Sequence, residues 1–127
     1  MTDEVRQRLE KATQLLAQVG GLDPSTQGEL LAHHAYYAMF HAACAVILAR
    51  AGTVPVRHAT VVSEFGRLMR DLGDDARRHG RALNRAHDVR LVADYAIDTR
   101  ILPGTAKDSV EAAAAFVRFC RDMLASG

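Results

Sequence analysis

Apolar residues recur along most of this chain at the three- and four-residue steps that mark one face of a helix. Val5, Leu9, Ala12, Leu16 and Val19 predict a first helix over Asp3–Val19, closed by Gly20 and Gly21. Ser25 is the expected N-cap of a second helix that runs to Ala51 and stops at Gly52. Between Ala35 and Leu48 that helix is apolar on nearly every side, the pattern of a central, most buried helix. After Pro55, Val61, Val62, Phe65, Leu68 and Met69 predict a shorter helix over 58–72. A fourth helix is expected over 75–100, with Gly80 as a weak point that marks a later true start. Pro103-Gly104 reads as a turn, and Thr105 with Asp108 as the capping box of a last helix reaching Ala125. No strand pattern competes with these helices. The expectation is an all-α, antiparallel up-and-down bundle of four long helices and one short one, a single domain over 1–127.

Composition agrees with that picture. The 127 residues are 49% apolar and 24% charged, with a net charge of +1, which excludes a wholly polybasic binder. Cys44 and Cys120 stand in apolar helical surroundings without CxxC spacing and read as buried core thiols, in keeping with a reducing cytoplasm. The first ten residues lack the apolar stretch of a signal peptide. The longest apolar run, Ala42 to Ala49, is too short to span a bilayer. A cytoplasmic protein without membrane contact is expected.

The fourth helix departs from the ordinary pattern. Leu83, Ala86, Arg90, Ala93 and Ile97 form one stripe, so Arg90 points where a core residue belongs. A guanidinium left dry and without a counter-charge costs several kcal/mol, so a carboxylate, a cleft or a subunit interface should meet it. Asp94, four residues on, is the nearest partner along the helix. Between Arg77 and Arg90 the chain carries five arginines, two histidines and one acid, Asp88. Arg78, Arg81 and Arg85 either pair with acids of neighbouring helices or form a phosphate-binding patch, for which arginine has the better geometry. His87 shares a face with Arg90 and is suited to proton transfer near neutral pH.

On the second helix His34, Tyr37, His41, Cys44 and Leu48 share one face. His34 and His41 lie about 10 Å apart along the axis, too far to ligate one metal directly. HExxH and Glu-x-x-His pairs are missing, as are P-loop, GxGxxG and GxSxG motifs. No metal and no cofactor is expected. His58, following Pro55-Val56-Arg57, is either a cap residue or reaches the central cleft.

The segment HHAYYAMFHAACAVILARAG, followed by His58, Phe65 and RLVADY, resembles the HEPN superfamily, closest to a small bacterial and archaeal branch with A-Y-Y-A-x-F and R-x-x-A-D-Y helices. The resemblance covers about residues 25–120 and implies a helical bundle that dimerises. It also implies a metal-independent endoribonuclease whose R-x(4–6)-H residues meet across the dimer, paired as toxin with a minimal nucleotidyltransferase antitoxin that in some pairs modifies a nearby tyrosine. Arg90 fills the family's arginine, with Asp94 and Tyr95 after it in place of the family's histidine. Arg81 and His87 satisfy R-x(5)-H literally, but six residues turn a helix by about 240° net, so they do not share a face. On this reading Arg90, His87 and Asp94 would carry catalysis. Arg78, Arg81, Arg85 and His41 would bind RNA or a nucleotide, and Tyr95 would meet the partner or its modification. The rival expectations are a non-catalytic module docking a nucleotidyltransferase, with Arg90–Asp94 a structural pair, and a plain helical interaction protein without a ligand.

Overall fold

The computed structural model describes residues 1–95 and 101–126, the side chains of 92–95 excepted. Among the described residues there are five helices and no strand, in the order α1 (Asp3–Val19), α2 (Gly28–Ala51), α3 (His58–Met69), α4 (Asp74–Tyr95) and α5 (Pro103–Ser126). Four are long and one, α3, is short. Residues 20–27, 52–57 and 70–73 connect the first four, short links of the kind that place successive helices side by side.

α2 is the axis of the fold. Fourteen of its residues are buried, including Ala35, Tyr36, Met39, Ala42, Ala43 and Val46, spread around its whole circumference. α1 and α5 pack most extensively against it and touch each other, while α3 and α4 pair and close another side. The alanines keep the neighbouring axes close. Length and composition alone would let α2 cross a membrane, but 72% of its apolar window is covered by the other helices, which makes it a core helix here. Cys44 on α2 and Cys120 on α5 are free thiols with no exposed surface. Burial pushes the Cys44 thiol up to about 11 against the opposing charge of Arg8, and it raises Cys120 as well.

Several helix ends differ from the sequence expectation, each for a local reason. α1 is capped by Thr2, whose hydroxyl accepts from the Val5 N–H at 3.3 Å. Ser25 does not cap α2. Its N–H is taken by Asp23 Oδ1 at 2.9 Å in a turn that Gln27 closes by accepting the Asp23 N–H at 2.9 Å. The helix starts at Gly28, where a β-carbon would lie 2.8 Å from the Ile101 carbonyl oxygen. It stops at Gly52, which takes a left-handed φ of 80° and donates to Leu48 O at 2.9 Å. α3 ends at Met69 rather than residue 72, because the chain tightens into three-residue bonds and turns at Gly73, φ 101°. α5 begins at Pro103, not after Thr105. Proline suits a first helical position, where its missing N–H would have no helical partner. Gly80 does not delay α4. It is buried, with Gly66 Cα of α3 3.4 Å from where a β-carbon would stand, so glycine there serves the approach of the two helices.

Candidate active site

The second, third and fourth helices each contribute to one cluster. α2 projects Tyr36, Tyr37 and Phe40 at helical steps of one, three and four residues, towards the first residue of α3, His58. α4 adds His87 and Arg90, three residues apart and so on one face. Tyr36 is fully buried, and its hydroxyl is hydrogen-bonded to His58 Nδ1 at 2.9 Å. The Phe40 ring lies flat on the His58 imidazole, with centroids 4.1 Å apart and planes 10° from parallel. Tyr37 meets the same imidazole edge-on at 5.5 Å, and the His87 ring lies 5.6 Å from that of Tyr36. The Arg90 guanidinium carbon sits 5.5 Å from the ring centres of both Tyr36 and Tyr37. The negative faces of aromatic rings attract such a cation, more so where water is partly excluded.

This packing sets the protonation of the group. Burial lowers the His58 pKa below the ordinary 6.5, and the positive field of Arg90 and then His87 lowers it further. Burial raises the Tyr36 hydroxyl well above its usual 10.0, with Arg90 opposing, so the hydroxyl stays neutral. The Tyr36–His58 bond fixes the plane of the imidazole and leaves Nε2 as the nitrogen for chemistry. When Tyr36 donates to Nδ1, Nε2 carries the ring proton and is an acid. When Nδ1–H donates to Tyr36, Nε2 presents a lone pair and is a base.

The structure brings together part of the set expected from sequence. Arg90 and His87 stand in the cluster. Asp94 and Tyr95 fall on α4, but their side chains lie outside the described residues. Arg81 stays apart from Arg90, yet it lines a groove between α3 and α4 with His87. The two stand on opposite edges of a stripe centred on Asn84, which lets both face one groove although they share no single face. Arg78 pairs with Asp75 of its own helix rather than with a neighbour, and Arg85 is exposed outside the groove. His41 turns to α1, where Arg8 donates to its Nδ1 at 3.0 Å, in a separate cleft shared with Lys11. Burial, followed by the charges of Arg8 and Lys11, depresses the His41 pKa to about 4. Among the described residues no three His, Cys, Asp or Glu side chains converge as metal ligands.

His58 is the member that the sequence reading left open, and its holder Tyr36 was not named as a site residue at all. The signal was present: an aromatic triplet at helical spacing on the core helix, and a histidine where the next helix begins. What the sequence did not supply was the contact between them, 22 residues apart.

A Methanocaldococcus jannaschii protein, named as a candidate toxin, is 36% identical over 64 residues, 50% of this chain and 47% of the relative. The chain thus spans about half the length of the curated relative it matches. The model of the HEPN domain matches residues 5–123, which reaches into all five helices and contains the whole Tyr36–His58–Arg90 cluster. The chain belongs to the HEPN family.

Proposed function

We propose that this protein is a HEPN-type, metal-independent endoribonuclease that acts as the toxin of a two-gene pair. The observation that carries the reading is the Tyr36-tethered His58 in one cluster with the Arg90 guanidinium, which meets the same Tyr36 ring. RNA supplies its own nucleophile, so the protein need only move protons and stabilise charge. His58 Nε2 takes the proton of a ribose 2′-OH as its oxygen forms a bond to the adjacent phosphorus. Arg90 stabilises the charge growing on the phosphoryl oxygens. His87, in its protonated form, gives a proton to the departing 5′-oxygen as the P–O5′ bond breaks, leaving a 2′,3′-cyclic phosphate and a 5′-hydroxyl. In the same reading the protein works in the cytoplasm as a homodimer, restrained by a nucleotidyltransferase partner. The family membership and the relative's name support the toxin role.

The test is cleavage of RNA by purified protein in excess chelator, with His58→Ala and Arg90→Ala alongside. Cleavage should survive the chelator and fall on the order of 10²–10⁴-fold in each variant, with helicity unchanged by circular dichroism. Folded wild-type protein that binds RNA without cutting it, or a His58→Ala variant of full activity, would overturn the catalytic reading in favour of a non-catalytic binding module.

A further inference from the structure

The α3–α4 groove is a second feature of this face. It has a volume of about 500 Å³ and carries arginines on both walls, Arg67 from α3 and Arg70 just past its end, and Arg77 and Arg81 from α4. Gly66, Gly80, Ala59 and Val62 form a small, largely apolar floor. Two of the four cations are held by acids at the rim: Glu64 pairs with Arg67, and Asp74 with Arg77, which also donates to Arg70 O at 3.0 Å. Arg70 and Arg81 have no ion pair among the described residues. The groove therefore carries an excess of positive charge in a concave surface with room for sugar faces beneath. One end is His87, whose ring touches that of Tyr36 in the cluster above.

We infer that this groove is a phosphate track that holds a single RNA strand and feeds it to the His58–Arg90 site. The inference rests on the ribonuclease reading for the identity of the strand. A furrow between two helices in contact suits a thin linear polyanion rather than a duplex or the convex face of an acidic protein. Guanidinium groups on both walls can grip phosphate oxygens bidentately, whatever the base sequence. From Arg77 to His87 the helix rises about 15 Å, roughly two or three nucleotide repeats of an extended strand. The site should therefore discriminate by length, with phosphates on one side of the reacting bond seated in the groove.

The test separates binding from cutting by using dye-labelled 2′-O-methyl RNA, which lacks the attacking hydroxyl. Fluorescence anisotropy is measured for a dinucleotide and an octamer on wild type, on Arg70→Ala/Arg81→Ala, and on Arg50→Ala/Arg118→Ala, which removes the same charge away from the groove. The octamer should bind wild type at least tenfold tighter than the dinucleotide. The groove variant should lose roughly tenfold or more for the octamer, and its salt slope should fall by about 1.4, at ~0.7 per lost phosphate contact. The control variant should keep most of the affinity. Equal losses in both variants, or an octamer no tighter than a dinucleotide, overturn the track. Absence of binding at every length also overturns it and leaves an acidic protein as the occupant to test. Length-dependent binding without cleavage of ordinary RNA would sustain the track and sink the ribonuclease reading. Cleavage with binding indifferent to Arg70 and Arg81 would do the reverse.

Discussion

Tyr36 makes His58 a directed group. Without the hydroxyl, the imidazole would keep its Phe40 stacking but lose the bond that fixes its nitrogens. Tyr36→Phe should therefore fold, with a stability loss of about 1 kcal/mol, and a rate reduced roughly five- to tenfold with KM little altered. Chemical denaturation and steady-state kinetics check the two parts. The pH profile gives an independent reading. Because the folded His58 pKa lies below 6.5, the base form persists through neutral pH, and the acid limb of kcat/KM should fall below pH 6.5. A limb at or above 6.5 would assign the base to another group. At this scale the sequence was half legible. The periodicity of α4 put Arg90 in line with Leu83, which is buried, and Ala86, while Ala93 and Ile97 of the same stripe have side chains outside the described residues; it did not name the two tyrosine faces that Arg90 also meets. Helical spacing describes neighbours along one helix. It does not describe which ring of another helix arrives opposite.

The helices themselves were the most legible part, because burying one face imposes a period on the residues that compose it. Of the stripe Val5, Leu9, Ala12, Leu16 and Val19 all are buried but Leu16, which is half-buried against the core, and α2 is buried all round as its composition requires. Helix ends were less legible where tertiary contact decided them, as at Gly28 and Gly80. The glycines of the elements allow contrasting predictions. A β-carbon at Gly66 would meet nothing within 4 Å, so Gly66→Ala should raise stability by up to about 1 kcal/mol through helix propensity, seen as a higher thermal midpoint. At Gly28 the same methyl would press on the Ile101 carbonyl, and Gly28→Ala should lower stability by about 1–3 kcal/mol. An unchanged midpoint for Gly28→Ala would show that the connection before α5 yields freely.

Across the whole molecule, acid is the condition that should test the fold. His41 is half-buried between α1 and α2 and titrates near 4 in the folded chain, against 6.5 when unfolded. Between those values the unfolded chain binds the extra proton, so stability is fully present above pH 6.5 and is lost as pH falls towards 4. With solvent screening at this partly exposed position, the loss should be on the order of 1 kcal/mol. Urea titrations at pH 7 and pH 5 measure it. Arg8→Met should reduce it, since Arg8 adds to burial in holding the proton off. A His41→Gln protein with the same acid sensitivity would place the origin elsewhere.

The two sulfhydryls make the chain its own probe of opening. Alkylating reagents attack thiolates, and both Cys44 and Cys120 are sealed from solvent and held protonated by burial. Labelling by a maleimide under native conditions therefore requires that the helices part. Because Cys44 lies on α2 and Cys120 on α5, the two rates report two different seams. Matching rates would identify a bundle that opens as one unit, and faster modification of Cys120 would identify α5 as a flap that lifts while the remaining helices hold.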